Sequence, residues 1–296
     1  NDYRDTSRKF RKFKSEEAVI DYAGDLLLQN TGIVAVNCSS EKKARKIGKR
    51  LAHLINDEST VLVVCKANEH EPHIREFLRN PDGHLNKYRA VVYTSKMGTG
   101  VDITTPIRAA LGIYDRQPLT AFDQQQGIMR FRAATEYGAW VTEVEQNYVT
   151  DETALLDRWL EAEAGTRQTV SIFDVNGNDQ VKEMRVRLAR LRAAVQGREH
   201  RSKSNLHAHF YALAAEQFTI VGEAKDISST DKSIIKDDLK MHGEALVQER
   251  DDCIKAAELV DSEDYKKHAI RGTVTPEIEA GHQRWLIETT FHQDID

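Results

Sequence analysis

Two hydrophobic periodicities divide the chain. As far as residue 150, short apolar runs alternate with longer amphipathic segments. "GIVAVNC" (32–38), "TVLVVCK" (60–66), "YRAVVYTS" (88–95), "IRAALGIYD" (107–115) and "GAWVTEV" (138–144) are short and apolar, which predicts strands buried on both faces. In "SSEKKARKIGKRLAHLI" (39–55), Ser39 or Ser40 can cap a helix whose Ala44, Ile47, Leu51 and Leu54 recur at helical spacing. "EPHIREFLRN" sets Ile74, Phe77 and Leu78 on one helical face, and "TAFDQQQGIMRFRAA" (120–134) predicts a further helix. Buried strands alternating with amphipathic helices give an α/β fold with a parallel, doubly wound sheet. In such sheets ligands bind at the carboxyl ends of the strands.

Beyond residue 150 the pattern becomes mostly helical. Val181, Met184, Leu188, Leu191 and Val195 form one stripe, and Ile235, Leu239, His242, Leu246, Cys253 and Ala257 form another. The two stripes predict long helices packed on each other as an antiparallel hairpin. "GTRQTVSIFDVNGND" (165–179) predicts a linker with a turn at Asn176-Gly177, and "FTIVGEA" (218–224) an isolated strand. Thr275 and Pro276 open a last helix. The expected division is therefore an α/β domain at 1–150 and a mainly helical accessory domain at 151–296.

Composition narrows the classes. The chain has 296 residues, 40% hydrophobic and 30% charged, with a net charge of -5. That is a folded chain with a solvated surface, and any nucleic-acid contact must use local patches. The apolar runs are far too short to span a bilayer. With three well-separated cysteines and a charged N-terminus, the expectation is a reduced, cytoplasmic protein without a membrane partner. The chain opens on Asn rather than Met, so a longer parent polypeptide is expected.

The stretch "YTSKMGTGVD" (93–102) ends a strand with two glycines. A phosphate loop needs G-x-x-x-x-G-K-[ST], because Lys and Ser/Thr must meet the phosphates and Mg²⁺. Here Val101 and Asp102 stand where those residues are required, and Ile103 stands where the dinucleotide fingerprint needs its third Gly. By chemistry alone, the chain does not bind ATP or NAD by itself.

Thr94, Gly100, Val101 and Asp102 follow the spacing T-x5-G-[VI]-D at a strand end. This resembles motif V of superfamily 2 helicases. "QGIMRFR" places Gln126, Arg130 and Arg132 in a pattern that resembles motif VI, and "IVAVNCSSEKKARKIGKRL" resembles motif IV. The order IV, V, VI is similar to that of the second RecA-like domain of such helicases, over roughly residues 32–144. The region from 200 onward is similar to plasmid and phage replication helicases of the origin-binding or primase-associated kind. Gly127 departs from the pattern, which commonly has Arg there, and Arg132 is one residue short of the usual second finger.

The resemblance implies a RecA-like parallel sheet followed by a helical region, in an ATP-dependent DNA helicase or translocase. Arg130, and less securely Arg132, would be arginine fingers on a γ-phosphate, with Gln126 beside them. Gly100 and Asp102 would serve the nucleotide side, Asp102 orienting the arginines or meeting the ribose. Thr94, Ser95, Ser39 and Ser40 would contact DNA phosphates. ATP and Mg²⁺ would be held mainly by a RecA-like domain upstream in the same polypeptide, so this chain alone is expected to be inactive. The alternative is a non-enzymatic nucleic-acid-binding module with a degenerate RecA-like fold. Two basic stretches offer phosphate contacts: residues 4–14, with six Lys/Arg and interleaved Phe10 and Phe13 for base stacking, and residues 182–203, with eight. His70 and His73 lack the further converging ligands that a metal site needs, so none is expected.

Overall fold

The computed structural model describes residues 8–97, 101–115, 119–169 and 179–291. The expected linker turn at Asn176-Gly177 lies outside these residues, as do Gly98, Thr99 and Gly100. The strands are β1 (Lys9–Lys12), β2 (Val34–Cys38), β3 (Val61–Val64), β4 (Ala90–Tyr93), β5 (Ile107–Tyr114), β6 (Ala134–Val141) and β7 (Thr219–Glu223). They form one sheet in the order β3-β4-β2-β5-β6-β1-β7, and every pairing is parallel. Helices cover both faces, so all five residues of β2 are buried, as a parallel sheet requires. The fold class is the one expected in outline: a parallel α/β sheet flanked by helices, followed by a mainly helical region.

One face packs against α3 (Pro72–Arg79), α5 (Ala121–Ile128) and α8 (Leu206–Gln217), through Ile74 and Phe77, Ala121 and Ile128, and Phe210 and Ala214. The other packs against α1 (Glu16–Leu28), α2 (Glu41–Ile55) and α9 (Ser229–Ala256), through Val19, Ile20 and Leu27, Ile47 and Leu51, and Ile235. A short turn of helix, α4 (Pro81–His84), follows α3. The remaining helices are α6 (Glu152–Thr169), α7 (Asp179–Ser204), α10 (Ser262–Arg271) and α11 (Pro276–Phe291).

Four sequence expectations are corrected. The basic stretch near the N-terminus is not an arm for stacking bases. Among the described residues, Lys9–Lys12 of the stretch form β1, and Phe10 and Phe13 are buried in the two opposite cores at 0% and 3% exposure. Three of its described cations are engaged: Arg11 with Glu136, and Lys12 and Lys14 with Glu223. The segment 218–224 is no isolated strand, since β7 extends the sheet beside β1. The helix expected to run to residue 134 ends at Ile128, because Phe131 is drawn into a parallel bridge with Ile103. The long helices do not pair as one hairpin: α7 packs on α6, while α9 lies along α1 and α2. Ion pairs of Arg50 with Asp238 and of Lys49 with Glu249 fasten α9 to α2.

One core therefore crosses the division expected at residue 150. α8, β7 and α9, all beyond that point, cover or extend the sheet built by the first half.

Candidate functional site

The site forms where β4 ends. Thr94 continues the strand pairing by donating its N–H to the Val64 carbonyl at 3.0 Å. The chain then turns through Ser95–Met97 in one 3-10 turn. The Thr94 hydroxyl oxygen accepts from Lys96 N–H at 3.3 Å, and buried Met97 anchors the turn from below. Ser95 is exposed.

α5 faces this turn. Its start is fixed by a capping box: Asp123 N–H donates to the Thr120 hydroxyl at 3.2 Å, and Thr120 N–H donates to the Asp123 carboxylate at 3.0 Å. Asp123, Gln126 and Gly127 follow at i, i+3 and i+4 on one helical stripe, and Arg130 continues from it in the turn beyond the helix. With Thr94 and Ser95 they line a cleft of about 130 Å³. Pockets that enclose small-molecule ligands measure about 300–1,000 Å³. The cleft thus has the size of part of a site rather than the whole of one.

Four expected site residues meet here: Thr94, Ser95, Gln126 and Arg130. Arg130 stands in the turn after α5. Its side chain donates to the Val101 carbonyl at 3.3 Å, and the group is half-buried. Arg132 does not line the cleft. It is exposed and pairs with Asp102 at 2.5 Å, so of the two arginines that Asp102 was expected to orient, the carboxylate meets Arg132. Phe131 between them is fully buried, which sends the two arginines to the opposite side of the chain from it. Gly100 lies outside the described residues.

Ser39 and Ser40 stand at the carboxyl end of β2. Asn37 is in register with Tyr93 on β4, so these serines share a sheet edge with Thr94 and Ser95. Both hydroxyls have partners. Ser39 donates to Asp115 at 2.5 Å, and Ser40 caps α2 by accepting from Lys43 N–H at 3.2 Å. Lys43 reaches back to Glu16 at 2.5 Å and Asp115 at 2.8 Å. Burial opposes the Lys43 charge, but these two carboxylates outweigh it and raise its pKa. Burial raises the Glu16 pKa despite Lys43. Lys43 thus stays charged and committed to the edge.

Residues that the sequence did not mark hold this site together. Asn37, buried on β2, lies 2.7 Å from the Tyr114 hydroxyl and donates to the Tyr93 carbonyl at 3.4 Å. The Tyr93 hydroxyl donates to the Gly127 carbonyl at 2.9 Å. A Cβ on Gly127 would lie 2.6 Å from Asn37 Oδ1. Gly127 therefore has a packing reason to lack a side chain: α5 rests there directly on the sheet. A lone polar residue in the apolar run of β2 was the only signal for Asn37.

No protein-family model matches the chain, and no curated protein matches it. Among solved structures, the chain is similar to the second domain of the Mss116p DEAD-box helicase bound to an RNA duplex. The identity is 9% and the TM-score 0.36, over 72% of this chain and 98% of that one.

Proposed function

We propose that this chain is one half of an ATP-driven nucleic-acid motor, and that Arg130 is the group that reaches the γ-phosphate. One observation carries the reading: half-buried Arg130 lines an open cleft together with Thr94, Ser95 and Gln126 at a strand end. A fixed cation aimed at a transferring phosphoryl group stabilises the charge of its transition state. The donors present suit a terminal phosphate. They do not suit Mg²⁺, since the cleft's carboxylate, Asp123, is engaged in the cap of α5. In this reading a partner RecA-like domain of the parent polypeptide holds the triphosphate and its Mg²⁺, which neutralises charge there. The carboxyl edge carrying Ser95, Ser39 and Ser40 faces a DNA strand, and plasmid or phage replication is the setting.

The test is DNA-stimulated ATP hydrolysis by the full-length polypeptide. Arg130→Ala is expected to lower kcat by about 10³-fold or more, the range known for arginine fingers, with DNA binding retained. The 296-residue chain alone is expected to show negligible hydrolysis. Wild-type turnover by Arg130→Ala, or robust hydrolysis by this chain alone, sinks the reading.

A further inference from the structure

We infer that Asp82 is the positioning residue for Arg130. This rests on the reading of Arg130 as the group that meets phosphate. Asp82 belongs to none of the motifs and sits on α4. Its Oδ1 accepts from Thr104 N–H at 2.9 Å, Thr105 N–H at 2.7 Å and the Thr105 hydroxyl at 2.7 Å. Its Oδ2 accepts from the Thr104 hydroxyl at 2.9 Å. One carboxylate thus collects four donors from two consecutive residues more than twenty positions away.

Those two residues adjoin the segment that holds Arg130. Ile103 donates its N–H to the Arg130 carbonyl at 2.8 Å and accepts from Arg132 N–H at 2.9 Å. Two positions earlier, the Val101 carbonyl receives the Arg130 side chain. The stretch 101–105 therefore grips Arg130 by its backbone and by its guanidinium. Little apolar packing fixes the far end of that stretch, since Thr104 and Pro106 are exposed between buried Ile103 and Ile107. Asp82 supplies the missing constraint.

Only a carboxylate can accept on both oxygens; an Asn offers one acceptor and turns donors toward the rest. α4 is held independently, by Asn80 accepting from Gly83 N–H and by buried Leu85 just after it. Removing the Asp82 carboxylate therefore frees the 101–105 stretch while α4 stays in place. Burial opposes the Asp82 charge, but the hydrogen bonds from Thr105 and Thr104 together outweigh it and hold the carboxyl below its ordinary pKa, so it is ionised at neutral pH.

The experiment compares wild type, Asp82→Ala, Asp82→Asn, Arg130→Ala and the Asp82→Ala/Arg130→Ala double variant in the full-length polypeptide. Asp82→Ala is expected to lower kcat on the order of 10–100-fold, as for a reacting group displaced by about 1 Å, with KM for ATP unchanged. Asp82→Asn should fall between, and the double variant should be no slower than Arg130→Ala. In this chain, Asp82→Ala should also speed amide exchange at Ile103 and Arg132 more than at Val36, a local loosening beyond any global loss of stability. If Asp82→Ala turns over at the wild-type rate while Arg130→Ala is impaired, the positioning role is overturned and the Arg130 reading stands. A double variant slower than Arg130→Ala by the full Asp82→Ala factor, or unchanged exchange at both amides, also overturns it. Arg130→Ala at full activity removes the reading beneath the proposal and the proposal with it.

Discussion

Gly127 has no room for a side chain because Asn37 cannot move away from it. A Cβ at 127 would lie 2.6 Å from Asn37 Oδ1, and that oxygen is 2.7 Å from the Tyr114 hydroxyl. Swinging Asn37 aside would break that hydrogen bond inside a core where Tyr93 and Tyr114 are each 1% exposed. Gly127→Ala is therefore expected to destabilise the chain by about 1–3 kcal/mol, the cost of overpacking a filled site. Urea unfolding should show a lower midpoint with an unchanged slope. A midpoint at or above wild type would mean that α5 does not sit on Asn37 as described. At this scale the candidate site was partly legible in the sequence. Motif spacing picked out Thr94, Ser95, Gln126 and Arg130, and they share a cleft. Which of the two arginines Asp102 meets was not legible. It follows from Phe131 entering the core beside Ile103, a contact that no local spacing encodes.

β1 shows how a charged segment hides a strand. Residues 4–14 read as a basic stretch offering phosphate contacts, since six of the eleven are Lys or Arg. Phe10 nevertheless lies 5.3 Å from Phe218 and 6.0 Å from Phe210 between ring centroids, while Phe13 meets Tyr22 on the other face at 5.5 Å. The cations between them lie over aromatic rings and against carboxylates, Arg11 over Tyr22 and Lys12 over Tyr211. Their long stems cover apolar surface while their charged ends meet Glu136 and Glu223. The strands β2 to β6 were legible because both faces of each had to be apolar. β1 was not, because its neighbours β6 and β7 are distant in sequence and supply the pairing. Phe10→Ala is expected to cost about 3–5 kcal/mol, as for a large buried aromatic. The loss should begin at β7, whose pairing runs through β1 alone. Hydrogen exchange should therefore rise at Ile220 before it rises at Val36. Equal acceleration at both positions would argue against β1 as the tie between β7 and the sheet.

The molecule as a whole tests where its domains divide. Hydrophobic patterning changes near residue 150, and that change is real: strands alternate with helices before it, and helices dominate after it. A change in pattern is not a boundary between cores, however. Phe210 on α8 packs against Tyr114 at 5.4 Å, and Phe218 packs against Tyr137 at 4.9 Å, so these two core tyrosines of the first half each lean on an aromatic from the second. On the opposite face, Ile235 of α9 is buried with Ile47 and Leu51 of α2. Losing burial at Phe210 and Phe218 alone would forfeit about 3–6 kcal/mol. Whole domains are stable by only about 5–15 kcal/mol. A fragment ending at residue 150 would lose those contacts, the pairing of β7 and the cover of α9 together. It is expected to unfold without a cooperative transition and to bind a dye for exposed apolar surface, whereas the whole chain should unfold cooperatively. A fragment 1–150 with a sharp urea transition and a dispersed amide spectrum would show that the first half carries a sufficient core of its own.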